Sequence, residues 1–189
     1  MTVNITGTFQ GLSETAQRII NNTIRLEGRY SNNPYDKGGE TCWGITKNTA
    51  RKYGYTGSMA ELPLSFAKDI YAYEYWSNNN CEDILKYSDL LAEEWFDTGV
   101  NGGVGRPWWL AGKILNALND GSWPVLPVAT AKSSTVLSAL EKATSKIGDK
   151  QMFNYMNWTQ GAWYMTLTER DPSQRAFFNG WITNRVSTV

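Results

Sequence analysis

Between Leu26 and Thr46 the chain places three carboxylates, Glu27, Asp36 and Glu40, in a stretch broken by Asn33-Pro34, Gly38-Gly39 and Gly44, and its 189 residues include no histidine. Two acids held in different surroundings can divide catalytic work, one keeping its proton while the other stays ionised. Zinc amidases and peptidases normally need imidazole ligands, and cysteine peptidases normally need a histidine base, so the composition argues against both. Cleavage of a glycosidic bond needs only carboxylates. No metal site and no cofactor are expected.

Glu27 falls in the last turn of a predicted helix. There the negative end of the helix macrodipole, together with loss of water to Tyr30 and Trp43, favours the neutral form of the acid. A proton held there suits protonation of a glycosidic oxygen. Asp36 is the candidate for the ionised partner that activates water or stabilises the positive charge developing on the sugar. Asp36-Lys37-Gly38-Gly39 can also be read as a turn in which the aspartate caps a backbone N–H. Glu40 is either a third acid of the site or the structural partner of a nearby Lys or Arg. Thr41 either positions a water or packs within a short strand.

The elements that must position these residues read as mostly helical. Ser13 can cap a helix whose apolar stripe is Leu12, Ala16, Ile19, Thr23 and Leu26, and Gly28 ends it. Residues 30–46 read as turns or a short irregular hairpin. Ser65 can cap a helix through Phe66, Ile70, Tyr71 and Tyr75 that ends near Asn78. Ser88 can cap another through Leu91, Trp95 and Phe96 to Gly99. Pro107 suits the first turn of a helix through Leu110, Ile114 and Leu118, closed by Asp120-Gly121. Residues 134–147 and 150–170 predict two more helices, and Pro172 opens a last one carrying Phe177, Phe178, Trp181 and Ile182. The expected architecture is mainly α, with a small β/turn insert after the first helix. A glycine-rich joint at 101–105 divides lobe 1–100 from lobe 101–189, the two packed as one compact unit. Trp108 and Trp109 are adjacent, so both cannot face the core of one helix.

Charge is uneven along a chain whose net charge is zero. Through Val100 there are 9 basic and 13 acidic residues, and after it 9 basic and 5 acidic. The basic surplus of the second half suits an anionic polymer such as a bacterial cell wall. It lacks the clustered Lys/Arg runs of nucleic-acid binding, so no nucleic-acid partner is expected. Cys42 and Cys81 have neither metal-ligand spacing nor framework density, and a reduced pair is the simpler reading, with a single bridge left open. No stretch approaches a membrane span, so no stable membrane insertion is expected. The first residues carry neither the basic nor the apolar region of a secretory signal.

Taken together, Glu27-Gly28-Arg29-Tyr30, Asn33-Pro34, Asp36-Lys37-Gly38-Gly39-Glu40-Thr41 and Gly44-Ile45-Thr46 resemble the signature of glycoside hydrolase family 108. The resemblance continues through Ala67-Lys68-Asp69-Ile70-Tyr71 with Tyr75-Trp76, Phe96-Asp97 with Val100-Asn101-Gly102-Gly103, Asp120-Gly121, and Phe178-Asn179-Gly180-Trp181 with Asn184-Arg185-Val186. It implies a lysozyme-like helical part followed by a peptidoglycan-binding part, as in phage endolysins and related bacterial proteins. The implied activity is that of an N-acetylmuramidase, cutting the β-1,4 bond between N-acetylmuramic acid and N-acetylglucosamine. By this resemblance Glu27 corresponds to the catalytic glutamate, and 36–41 to the wall of the cleft. Catalysis is then expected of Glu27, Asp36 and Thr41, with Tyr30, Asn33, Glu40, Trp43, Tyr75, Trp76 and Asn101 lining the substrate.

Two departures stand out. Four residues separate Asp36 from Thr41, where other phage lysozymes have five, and Arg29 replaces the usual second glycine, placing a cation near the cleft that can hold an acidic group of the wall or Asp36. A lytic transglycosylase giving 1,6-anhydro ends, or a non-catalytic wall-binding or secretion-associated protein, are the competing readings. A monomer is expected, whose partner is the peptidoglycan glycan strand. It would be held in the host cytoplasm until a holin or another export route releases it to the periplasm.

Overall fold

A computed structural model describes residues 4–32, 39–127 and 132–186. The chain forms two compact units, one through Asn78 and one from Asn79. In the first, α1 (Glu14–Glu27) begins at Ser13, whose Oγ accepts the Ala16 N–H at 3.3 Å, and ends at Gly28 with φ 76°. The apolar stripe buries Ala16, Ile19, Ile20 and Ile24, with α3 (Leu64–Ile70) among the elements packed on the helix. Each fully buried isoleucine contributes about 1.5–3 kcal/mol. Leu26, expected on this stripe, is 75% exposed because the stripe turns away from the core in the last turn.

The insert is a three-stranded antiparallel sheet of two-residue strands: β1 (Tyr30–Ser31), β2 (Thr41–Cys42) and β3 (Ile45–Thr46). Tyr30 pairs with Cys42, and Cys42 with Ile45, which leaves Trp43 and Gly44 as the two residues of the β2–β3 turn. Both have positive φ, 55° and 74°, as a type I′ hairpin turn requires. Thr46 then caps α2 (Lys47–Lys52) by accepting the Thr49 N–H at 3.2 Å.

α3 starts one residue before the expected Ser65. Pro63 occupies the cap position at φ −62°, and its carbonyl accepts the Ala67 N–H at 3.1 Å. Instead of continuing as α-helix to Asn78, the backbone widens into a π-helical segment over Tyr71–Trp76 and then tightens into a 3₁₀ turn. Asp69, buried on α3, accepts the N–H groups of Gly7 (3.1 Å) and Phe9 (2.9 Å), which ties the N-terminal turn to this helix.

The second unit holds α4 (Cys81–Leu85), α5 (Asp89–Gly102), α6 (Arg106–Ala117), α7 (Ser134–Ile147), α8 (Asp149–Arg170) and α9 (Arg175–Arg185). Ser88 and Ser133 cap α5 and α7 through the N–H groups of Leu91 and Val136. α8 is central, packed by α5, α6, α7 and α9. This explains its apolar and aromatic residues on every side. Gly161 is the close approach to the C-terminal helix: a Cβ there would meet Val186 at 3.5 Å and Ile182 at 3.8 Å. Asn101 and Gly102, expected in a joint between lobes, form the end of α5 within this unit. Trp108 is buried edge-on against Trp95, with centroids 5.3 Å apart. Trp109 is half-buried between the cations of Arg106 and Lys113. The fold is thus mainly α with one small sheet after the first helix, and among the described residues no helix is long and apolar enough to cross a membrane.

One buried acid stands out in this core. Glu94 on α5 is 5% exposed; it accepts the Thr98 hydroxyl at 3.1 Å, and Thr98 accepts the Gln160 amide of α8 at 3.3 Å. Burial, reinforced by the charge of Asp97, pushes its carboxyl well above the ordinary glutamate range. The folded state therefore holds this proton more tightly than the unfolded chain does. Stability is fully present below the ordinary glutamate range and is lost as pH rises toward the raised folded value. Glu94→Gln, which keeps shape without the ionisation, is expected to raise the thermal midpoint at pH 7. The gain should shrink to nothing near pH 4, as followed by circular dichroism melts across that range.

Candidate active site

Glu27 is the last residue of α1 and is half-buried. The backbone of Gly44 lies directly against its side chain. A Cβ built on Gly44 would come within 2.9 Å of both Cβ and Cγ of Glu27 and would also collide with the Tyr71 hydroxyl. The turn that makes this approach is itself anchored. The Trp43 N–H donates to the Arg29 carbonyl at 2.6 Å, the Tyr71 hydroxyl donates to the Trp43 carbonyl at 3.0 Å, and the Trp43 indole N–H donates to the Leu62 carbonyl at 3.0 Å.

The π-helical segment supplies the aromatic floor. Tyr71 and Tyr75 lie with ring centroids 5.6 Å apart, tilted by 45°. Burial raises the Tyr75 phenol above its ordinary value, with the charges of Glu74 and Glu27 adding in the same direction. Tyr75 is therefore a neutral hydroxyl within the electrostatic reach of Glu27. Trp76, expected beside it in the cleft, is fully buried. It is a core residue, because the turn that brings Tyr75 toward Glu27 sends its neighbour inward.

Glu40 is not an unengaged acid. Its carboxylate accepts the Tyr30 hydroxyl at 3.0 Å and pairs with the Lys47 ammonium at 3.0 Å, while its carbonyl accepts the Lys47 N–H at 2.9 Å. Lys47, and then Tyr30, hold the carboxyl below the ordinary glutamate range. These contacts join β1 to the start of α2. Tyr30 is 45% exposed with its hydroxyl on Glu40, so it braces the sheet. Thr41 is half-buried in β2, opposite Ser31 and Thr46. Asn33 and Asp36 lie outside the described residues. Asn101 is on α5 in the second unit, where its amide donates to the Asp97 carbonyl and carboxylate.

A hollow of about 540 Å³ adjoins the same turn at Trp43, within the span of roughly 300–1,000 Å³ usual for ligand sites. Asn21, Ile24, Arg25 and Gly28 line it from α1, Leu64 and Lys68 from α3, with Arg29 and the Trp43 ring completing it. Trp43 thus lines this hollow. Sequence reasoning did not bring Gly44 and Tyr71 to Glu27, nor Arg25 and Lys68 to the hollow. Trp-Gly between two short strands was the available signal for Gly44, because a type I′ turn requires positive φ at both positions. Arg25 and Lys68 gave no signal, since their proximity depends on how α3 packs on α1.

With this geometry in view, comparison with known proteins is direct. Residues 20–103 match the family described as glycosyl hydrolase 108, and residues 133–186 match the predicted peptidoglycan domain. The first segment takes in the C-terminal half of α1, the sheet, Tyr71 and Tyr75, and runs through α5; the second holds α7, α8 and α9. The fold is similar to that in the structure of Brucella abortus SagA. The two share 22% identity over 88% of this chain and 87% of that one, with a TM-score of 0.67. No curated protein matches the sequence. The chain carries a glycosyl hydrolase 108 domain followed by a predicted peptidoglycan domain. A chain so built is a glycoside hydrolase that acts on peptidoglycan.

Two substitutions test the turn. Gly44→Ala must place an L residue at φ 74° and drive a methyl into Glu27. The backbone alone costs about 1–2 kcal/mol. A displacement of Glu27 near 1 Å is expected to slow clearing of a cell-wall suspension by on the order of 10²-fold. Tyr71→Phe removes the hydroxyl that donates to the Trp43 carbonyl. It is expected to cost about 1 kcal/mol in urea unfolding.

Proposed function

We propose that the chain is a hydrolytic N-acetylmuramidase in which Glu27 is the general acid. The observation that carries this reading is the packing of Gly44 on Glu27: the one carboxylate at the end of α1 is held in place by a turn that tolerates no side chain there. Glu27 gives its proton to the oxygen linking N-acetylmuramic acid to the next N-acetylglucosamine. The bond from that oxygen to the muramic acid C1 breaks, and water supplies the hydroxyl that completes the new reducing end. The neutral hydroxyl of Tyr75 lines the approach.

The second carboxylate is assigned to Asp36, as base toward that water or as electrostatic partner of the developing charge. Three other acids of the first unit are engaged: Glu40 by Lys47 and Tyr30, Asp69 by Gly7 and Phe9, Glu74 by Lys52 and Tyr53. Thr41 is assigned to the wall of the cleft, within reach of the attacking water. The predicted peptidoglycan domain holds the chain on the wall between cuts. Such an enzyme fits a lytic role in which a phage protein waits in the host cytoplasm and reaches the wall through a holin or another export route.

Glu27→Gln is the decisive variant. It is expected to keep its circular dichroism spectrum and thermal midpoint while losing at least about 10²-fold in wall-clearing rate, the low end of what a positioned acid supplies. Mass spectrometry of the products made by the parent chain should show reducing N-acetylmuramic acid. Products ending in 1,6-anhydro sugar would assign a lytic transglycosylase instead. Unchanged clearing by the folded variant would remove Glu27 from the chemistry.

A further inference from the structure

The hollow beside the Trp43–Gly44 turn has a charge pattern that acid catalysis does not call for. Three of its eight lining residues are cations, Arg25, Arg29 and Lys68, and none of the eight is acidic. Among the described residues none of the three forms an ion pair with a carboxylate. Aromatic rings accompany two of them instead: the Arg29 guanidinium lies 5.8 Å from the centre of the Trp43 ring and the Lys68 ammonium 4.9 Å from that of Phe9. Such contacts orient a cation without neutralising it.

The cations come from separate elements. Asn21, Arg25 and Gly28 are one stripe of α1, while Leu64 and Lys68 are one turn apart on α3. The negative end of the α1 macrodipole opposes an anion here, but it amounts to roughly half a charge against three full ones. Ile24, Leu64 and the Trp43 ring give the hollow an apolar wall, and the Asn21 amide can both donate and accept hydrogen bonds. A ligand that fits is therefore short, carries carboxylates, and has aliphatic and amide parts between them.

The hollow also adjoins the proposed catalytic acid through the chain. Gly28 and Arg29 follow Glu27 directly, and Trp43 precedes the Gly44 that packs on it. Peptidoglycan differs from uncharged chitin-type glycans in one respect that matches this chemistry. Its muramic acid carries a short peptide on the lactyl group, with free carboxylates along the peptide and at its end. We propose that the Arg25, Arg29 and Lys68 hollow is a subsite for the carboxylates of this stem peptide, so that the chain selects peptide-substituted over peptide-stripped glycan. The proposal rests on the reading of the chain as a peptidoglycan hydrolase and adds the part of the substrate that it recognises.

Binding separates the two. The probes are a disaccharide–tetrapeptide, with N-acetylglucosamine linked to muramic acid, and the same disaccharide after amidase treatment, which keeps one lactyl carboxylate and loses the peptide. Neither contains the bond proposed for cleavage. Isothermal titration at low salt should show the peptide-bearing probe binding at least about tenfold more tightly, with the preference shrinking as salt is raised because the attraction is between exposed charges. In the double variant Arg25→Gln/Lys68→Gln, whose melting is checked against the parent, the ratio should fall to near one. Three results overturn the proposal: equal affinities in the parent chain, an unchanged ratio in the folded double variant, or an equal loss for both probes, which would make the lactyl carboxylate or the sugar the ligand. Cleavage of long glycan strands is scored separately. Absence of product there strikes the hydrolase reading, whereas the affinity ratio strikes only the subsite.

Discussion

Gly44 has no side chain, and that absence lets the β2–β3 turn lie against Glu27. The surrounding features hold the turn in this position. The two-residue strands cannot do so alone, since an isolated hairpin is marginal in water. Tyr71 pins the Trp43 carbonyl from below, Leu62 receives the indole N–H, and the Arg29 carbonyl receives the backbone N–H. The π-helical segment has a place in this scheme. Widened helical turns occur often at functional sites, and here one carries Tyr71 to the turn and Tyr75 to the reach of Glu27.

Two groups of side chains adjoin the contact of Gly44 with Glu27. In one, Glu27 and Tyr75 supply a carboxyl group and a neutral hydroxyl. In the other, Trp43 helps enclose the hollow with Arg25, Arg29 and Lys68. Glu40, close in sequence to both groups, is spent on the sheet, where Lys47 holds it ionised. Acids and cations within a few residues of one another thus serve separate purposes because each is held by a different element.

How much of this was legible beforehand follows from what local sequence encodes. α5 runs past the expected Gly99, but the starts of α1 and α5 were readable because Ser13 and Ser88 stand where a side-chain oxygen must meet the first free N–H groups, and the end of α1 because Gly28 closes it. α2 and α4 were not, since six and five residues are too few to show a helical period. The burial of Trp76 was invisible for a related reason: the register of side chains past Ile70 depends on the π-helical widening, which follows from packing. Glu27 was identifiable as a candidate from its place at a helix end before glycine. Its neighbours were only half readable, since Trp43 and Gly44 are close in sequence but Tyr71 and Lys68 arrive with α3. In the second unit, nothing in Glu93-Glu94 told which of the two would face α8, and tertiary packing chose Glu94.

The two cysteines have a consequence for where such a chain can work. Cys42 and Cys81 are both buried and outside any disulfide, in separate units, and burial pushes both thiols up, Cys81 most strongly. Oxidants and disulfides are attacked by the thiolate, so sulfur kept protonated and out of water is inert. The covalent framework is therefore the same on either side of a membrane that separates reducing from oxidising surroundings, and the fold can cross that divide without any change in redox state to switch it on or off.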